Sequence, residues 1–109
     1  MAHLLKAMVE RNKVSVNDIE DVIIGCANQA GEDSRNIARM AALIAEFPYE
    51  IPGQTVNRLC GSSMQAVINA CLEIQTGNGD LFLAGGVESM SRGPYVMAKA
   101  EQPYPFGSL

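Results

Sequence analysis

Apolar residues in the first part of the chain follow two different patterns. They recur at helical spacing within residues 3–11, which predicts a first helix. The residues of this apolar stripe are Leu4, Leu5, Met8 and Val9. Residues 21–25, Asp-Val-Ile-Ile-Gly, instead form a short continuous apolar run that ends in glycine, as expected of a strand covered on both faces. A helix followed by a buried strand indicates an α/β fold.

Two further helices are predicted, each with one apolar side. The second helix begins after a cap at Ser34 and stops at Pro48. The third helix covers residues 62–76 and should be largely buried, because only a narrow polar line interrupts its apolar surface. The apolar stripe is Ile37, Met40, Ala41, Ile44 and Phe47 in the second helix, and Met64, Val67, Ile68, Cys71 and Leu72 in the third.

Two more strands complete the predicted pattern. Residues 54–59 read as a strand that runs directly into Cys60, and residues 80–84 form a buried strand after a left-handed turn at 77–79. The double glycine at 85–86 is expected to bend the backbone tightly. The resulting order αβαβαβ predicts helices layered on a mainly parallel sheet.

The composition is typical of a small folded domain, and composition and charge together exclude several classes of protein. The chain has 109 residues, of which 48% are hydrophobic and 18% charged. Its formal net charge is −4 and its basic residues are scattered, so we expect no nucleic-acid partner. No apolar stretch is long enough to span a bilayer and no signal-peptide pattern is present, which predicts a cytoplasmic protein without a membrane span.

The three cysteines form no CxxC pair, and His3 is the single histidine. We therefore expect free thiols and no metal site. Cys71 falls on the apolar stripe of the third helix and is expected in the core. Cys26 follows a buried strand, has no charged neighbour that argues for activation, and is interpreted as structural.

Cys60 is the candidate for chemistry, because it stands between a strand and a helix that opens with Gly61-Ser62-Ser63. Unpaired backbone N–H groups at a helix start, together with the helix dipole, favour an anion such as the reactive thiolate. The alternative is a small buried cysteine at a strand end, which is the commoner fate of an intracellular cysteine. The local pattern leaves both interpretations open.

Other polar positions support weaker hypotheses. Asn57 and Arg58 fall inside the predicted strand and are expected to brace it through hydrogen bonds. Glu88 and Ser89 could face an active site or form part of an exposed loop. Residues 77–82 resemble a dinucleotide fingerprint only superficially, since they precede a strand and lack the last glycine, so we predict no nucleotide site there.

Two segments of the chain resemble thiolases. Residues 56–66, VNRLCGSSMQA, are similar to the nucleophile segment of that family, and residues 84–91, AGGVESMS, to its following strand and turn. Residues 36–39 and 52–53 extend the resemblance over most of the chain. Ser63 stands where many thiolases have glycine, and the serine form is similar to thiolases of bacterial fatty-acid oxidation.

The resemblance implies a partial thiolase N-terminal domain over residues 1–90, followed by an irregular loop region at 91–109. It implies that Cys60 attacks the β-carbonyl of a 3-ketoacyl-CoA, holds the acyl group as a thioester and passes it to free CoA, or runs the reverse Claisen condensation. Its backbone N–H is the implied oxyanion donor. Coenzyme A thioesters are then the substrates, and no resident cofactor is expected.

The resemblance also implies parts that this sequence does not contain. These are the family's first strand, which lies centrally in its sheet, the region that grips CoA, and the histidines and second cysteine of the C-terminal half. His3 matches none of them. Without a base, the chain alone should not turn over. A missing central strand should leave two unpaired strand edges and favour a homo-oligomer.

Two alternatives come from other classes of protein. One is a non-catalytic assembly module that uses the thiolase half-fold only for packing against a partner. The other is a condensing enzyme of the ketoacyl-synthase type, which also places a cysteine at a helix start. Residues 56–66 and 84–91 are more similar to thiolases than to such enzymes.

Overall fold

Three helices alternate with three strands in the computed structural model, which describes residues 1–33 and 35–98. The elements are α1 (Ala2–Asn12), β1 (Asp21–Gly25), α2 (Ile37–Ile44), β2 (Gly53–Val56), α3 (Ser62–Gln75) and β3 (Phe82–Gly86). Short 3₁₀ turns cover Val16–Asp18, Gly31–Asp33 and Met90–Arg92. The predicted αβαβαβ order is confirmed. The predicted cap at Ser34 and the end of the predicted loop region, residues 99–109, lie outside the described residues.

The three strands are parallel and lie in the order β2-β1-β3. The last residue of β1, Gly25, pairs with Val56 on one side and with Gly86 on the other. The carboxyl ends of all three strands therefore meet at one edge of the sheet. Because β1 bonds both neighbours directly, the free edges in the described part of the chain are the outer edges of β2 and β3, not the sides of a central gap.

The two faces of the sheet are covered by different helices. α2 packs on one face with α1 beside it, and α3 packs on the other, where Ile23 contacts Ala66 and Ala70. The larger cluster comprises Leu5, Ile19, Val22, Ile24, Ala38, Ala41, Ala42, Ala45, Phe47 and Ile51. β1 is thus buried on both faces, as its continuous apolar run predicts.

α2 and α3 bury mainly alanines, whereas their predicted stripes consist mostly of larger apolar residues. Of the predicted stripes, Leu5 in α1 and Ala41 and Phe47 in and after α2 are buried. In α3 the buried residues are Ser62, Ala66 and Ala70, and in α2 they are Ala38, Ala41 and Ala42. The prediction that α3 is largely buried is wrong, since Met64 is 66% exposed and most of its aliphatic residues are exposed with it. Small side chains let a helix lie close to the sheet, so the alanine side makes the contact.

Several element ends differ from the predicted ones. Asn36 caps α2, where its side chain accepts a hydrogen bond from the Arg39 N–H at 3.2 Å. β2 ends at Val56, so the predicted strand over residues 57–59 is wrong. β3 includes the double glycine 85–86 as paired strand instead of a bend. The left-handed turn after α3 is confirmed, with φ of +78° at Gly77.

No helix within residues 1–33 and 35–98 is long and apolar enough to cross a membrane.

Candidate functional site

A cavity of 650 Å³ opens at the carboxyl edge of the sheet, between the end of β1, the end of β3 and the start of α3. Cys60 lies on its wall, together with Leu59, Ser63 and Glu88. Ligand sites of parallel α/β sheets are found at this edge. Cys60 is exposed, so the interpretation of it as a small buried cysteine is wrong.

Two glycines at the strand ends let α3 begin directly beside the sheet. A Cβ atom on Gly25 would lie 2.3 Å from both the Ser62 carbonyl carbon and the Ser63 backbone nitrogen. A Cβ atom on Gly86 would lie 2.5 Å from the Ser63 Cβ atom. Any side chain at these positions would push the first turn of α3 away. Gly25 and Gly86 therefore determine where the start of α3, and with it Cys60, lies.

Cys60 is carried by a tight turn between β2 and α3. Leu59 has a left-handed backbone with φ of +50°, which costs a bulky residue about 1–2 kcal/mol. The Gly61 N–H donates to the Arg58 carbonyl at 3.0 Å, and the Ser62 N–H donates to the Leu59 carbonyl at 3.1 Å. The chain thus reverses direction just before α3 and presents Cys60 at the helix start.

Side chains on both sides of Leu59 hold this turn. Asn57 donates from Nδ2 to the Ala27 carbonyl at 2.9 Å and accepts the Leu59 N–H on Oδ1 at 3.0 Å. Ser62 is buried, accepts the Arg58 N–H at 2.8 Å and donates to the Leu59 carbonyl at 2.6 Å. The predicted bracing role of Asn57 is confirmed, but it braces the turn after β2 and not the strand.

Glu88 joins the end of β3 to the loop after β1. Its two carboxylate oxygens accept the N–H groups of Ala27 at 2.8 Å and of Asn28 at 3.0 Å. Both oxygens are thus engaged by backbone donors although Glu88 lies on the cavity wall. This pairing makes Glu88 a brace of the loop and a poor candidate for a free general base. Ser89 donates to the Glu32 carboxylate at 3.4 Å.

The other two cysteines differ sharply in their surroundings. Cys71 is exposed, so its predicted place in the core is wrong, because α3 turns its alanines to the sheet. Cys26 is only 1% exposed and its thiol donates to the Asn28 carbonyl at 3.7 Å. Burial raises the pKa of the Cys26 thiol, and the negative charges of Glu88 and Asp33 raise it further. The fold thus supplies the charged neighbours that the sequence did not reveal.

This raised pKa predicts how the stability of the domain depends on pH. The unfolded chain loses the Cys26 proton near the ordinary value of 9.0, whereas the folded chain keeps it to higher pH. Its contribution to stability is complete below that value and is lost as pH rises through the folded pKa. Urea denaturation should show stability falling more steeply above about pH 9 in the wild type than in Cys26→Ala. Equal pH slopes would contradict this assignment.

Metal-ligating side chains are not grouped at this edge of the sheet. Among residues 1–33 and 35–98, no three His, Cys, Asp or Glu residues lie close enough to hold one ion. His3 belongs to α1, which packs with α2 on the face of the sheet opposite to α3. The polar side chains on the described cavity wall are those of Cys60, Ser62, Ser63 and Glu88.

The sequence and the fold of this chain both match those of known proteins. A family described as thiolase, N-terminal domain, matches residues 1–108. This chain belongs to the thiolase family. The thiolase resemblance of residues 56–66 and 84–91 is thereby confirmed. The fold agrees as well: the crystal structure of the Bacillus anthracis acetyl-CoA acetyltransferase superposes with a TM-score of 0.82 at 38% identity, over 95% of this chain and 27% of that one.

Curated relatives include several thiolases. The chain is 59% identical over 99 residues to a β-ketoadipyl-CoA thiolase of Acinetobacter baylyi, which covers 89% of this chain and 24% of the relative. It is 52% identical over 101 residues to the 3-oxoadipyl-CoA/3-oxo-5,6-dehydrosuberyl-CoA thiolase of Escherichia coli, covering 93% and 25%. A 3-ketoacyl-CoA thiolase of Acinetobacter baylyi is 53% identical over 82% of this chain and 23% of its own length. The chain thus spans about a quarter of the length of these relatives.

The sequence pattern points to Cys60 as the candidate but does not point to the residues that place it. In the sequence pattern Gly25 only ends a strand, and Gly86 belongs to a predicted bend. Their importance depends on a helix that packs across them, which no local pattern shows. A signal was present for Gly25, because a glycine that ends a buried strand often marks a close approach of other backbone. The contacts of Glu88 link residues 60 and 61 positions apart and have no local signature.

Proposed function

We propose that this chain supplies the nucleophile of an acyl-CoA thiolase, and that Cys60 is that nucleophile. The observation that supports this most directly is the exposed Cys60 thiol on the wall of the cavity, one residue before the cap of α3. Thiolate is favoured where a helix start offers backbone N–H groups and the positive end of the helix dipole. Membership of the thiolase family makes acyl transfer the matching reaction.

The proposed reaction proceeds through a thioester. The Cys60 thiolate attacks the β-carbonyl carbon of a 3-ketoacyl-CoA, and the oxyanion forms near the Cys60 N–H. Cleavage of the bond between the α and β carbons leaves the acyl group on Sγ and releases the acetyl-CoA enolate, which takes up a proton. The thiolate of a second CoA then displaces Cys60 and completes the transfer. The reverse sequence is a Claisen condensation.

The acid and base for these proton transfers are proposed to come from outside the described residues. The carboxylate on the cavity wall, Glu88, is engaged by two backbone N–H groups, and His3 lies on the opposite face of the sheet. We therefore expect no thiolysis of acetoacetyl-CoA by the isolated chain. Measurable turnover, lost in Cys60→Ala, would contradict this part of the proposal. The relatives' names make 3-oxoadipyl-CoA the first substrate to test beside fatty 3-ketoacyl-CoA.

Selective alkylation tests the role of Cys60, with Cys71 inside α3 as the control. Both thiols are exposed, but Cys60 precedes the start of α3 and Cys71 lies within it. With iodoacetamide near neutral pH, Cys60 should react several-fold faster than Cys71, and buried Cys26 slowest. Peptide mass spectrometry measures the three rates. Faster labelling of Cys71 or Cys26 than of Cys60 would contradict the proposal.

A second candidate is a non-catalytic assembly module, favoured by the exposed aliphatic side of α3. Its exposed members are Met64, Val67, Ile68, Leu72 and Ile74. Such a module would use this side and the free outer edges of β2 and β3 for packing, and a homo-oligomer would be its simplest form. Cys60 would then be labelled no faster than Cys71, which separates the two candidates.

A further inference from the structure

Asn57 connects the loop after β1 to the turn that carries Cys60. We infer that Asn57 is a positioning residue, which holds Leu59 in its left-handed conformation and thereby keeps Cys60 at the start of α3. The inference rests on the proposed role of Cys60 as nucleophile. It assigns to Asn57 a task that is separate from binding or reacting with the substrate.

The Asn57 side chain makes two hydrogen bonds at once. Its Nδ2 group donates to the Ala27 carbonyl at 2.9 Å while its Oδ1 atom accepts the Leu59 N–H at 3.0 Å. The peptide group that carries the Ala27 carbonyl is itself fixed, because its N–H, that of Asn28, donates to Glu88 at 3.0 Å. Asn57 therefore ties the Leu59 amide to a loop that is anchored at the end of β3.

Leu59 has a backbone conformation that neighbouring contacts must hold in place. A φ of +50° is disfavoured for leucine and persists only where surrounding contacts enforce it. Asn57 holds the Leu59 N–H, and Ser62 holds the Leu59 carbonyl at 2.6 Å. Without the first contact, Leu59 is free to return to negative φ. The peptide that follows it would rotate and carry Cys60 away from the start of α3.

Asparagine suits position 57 better than other short side chains do. The position needs a donor and an acceptor on one short side chain, and asparagine supplies both. Aspartate would keep the acceptor but turn a carboxylate oxygen toward the Ala27 carbonyl, where two acceptors would oppose each other. Serine would keep a short acceptor for the Leu59 N–H but would not span to Ala27. Aspartate and serine at position 57 should therefore each hold Leu59 less firmly than asparagine does.

The test measures alkylation of Cys60 by iodoacetamide in the full chain, with Cys71 in the same molecule as internal reference. Asn57→Ala should lower the Cys60 rate about fivefold or more, the shift expected on loss of one or two such hydrogen bonds, and leave the Cys71 rate unchanged. Asn78→Ala, which removes hydrogen bonds at the far end of α3, is the matched control and should change neither rate.

Rescue by glycine separates positioning from general destabilisation. Glycine adopts positive φ without strain, so Leu59→Gly in the Asn57→Ala background should restore much of the Cys60 rate. A general loss of stability would show itself differently, by opening the domain and exposing buried Cys26 to alkylation. If Asn57→Ala exposes Cys26 to alkylation and so has unfolded, Asn57→Ser replaces it, with a smaller drop expected and the same rescue.

Two results would overturn the inference: an unchanged Cys60 rate in the folded Asn57 variant, or no recovery in the double variant. Both are distinct from failure of the proposed function, which would show in the wild type as Cys60 reacting no faster than Cys71. If Cys60 is alkylated fast in the wild type and equally fast in the Asn57 variant, the positioning role alone is refuted.

Discussion

Replacement of Gly25 by alanine is expected to lower the free energy of unfolding by about 3 kcal/mol and to slow alkylation of Cys60. The added Cβ would lie 2.3 Å from two backbone atoms of the first turn of α3. Backbone cannot swing aside as a flexible side chain can, so α3 must move as a unit. Urea denaturation measures the loss of stability, and peptide mass spectrometry measures the rate at Cys60.

Gly85→Ala is the matched control for this prediction. Gly85 is paired in β3 opposite Ile24, as Gly86 is paired opposite Gly25. A Cβ on Gly85 would meet the Ile24 Cδ1 atom at 3.8 Å, which is an ordinary van der Waals contact. This variant should stay within about 0.5 kcal/mol of the wild type, with an unchanged rate at Cys60. Equal losses in both variants would refute the argument from close approach.

Truncation of Ile23 to alanine should cost about 3 kcal/mol. Ile23 is 0% exposed, in the middle of the central strand, and packs under Ala66 and Ala70 of α3. Because the residues above it are small, they cannot move in to fill the cavity that the truncation leaves. Chemical denaturation of the variant and the wild type gives the difference in free energy of unfolding.

Ile44→Ala makes the same chemical change on the outer side of α2. Ile44 is 66% exposed, so little apolar surface returns to water when it is truncated. The expected change is within about 0.5 kcal/mol. A loss at Ile44 as large as that at Ile23 would show that the exposed sides of the helices are covered in solution. That outcome would favour the assembly module over an uncovered domain.

The proposed site combines the Cys60 thiol with a scaffold whose parts come from all three strand ends. Asn57 follows β2, Ala27 follows β1 and Glu88 follows β3, and hydrogen bonds link the three in series. We infer that the thiol of Cys60 depends on this scaffold for its place. Substitutions in the scaffold should therefore change the reactivity of Cys60 even where the thiol itself is intact.

The sequence alone determined the features that depend on neighbours along the chain. The continuous apolar run at 21–25 predicted a doubly covered strand, the glycine at 77 predicted a left-handed helix end, and the strand and helix signals around Cys60 predicted its place before α3. Motifs at 56–66 and 84–91 indicated the family. Each of these signals is local, because it arises from backbone preference or from the spacing of a few residues.

Only the tertiary structure decided which helix sides are buried and how Cys60 is held. α3 is apolar over most of its circumference, so its period does not distinguish the alanine side from the aliphatic side. The distance to the sheet makes that choice, and it is short because Gly25 and Gly86 carry no Cβ atom. The contacts of Asn57 with Ala27 and of Glu88 with Asn28 join residues far apart in the chain, and only the parallel pairing of the strands brings them together.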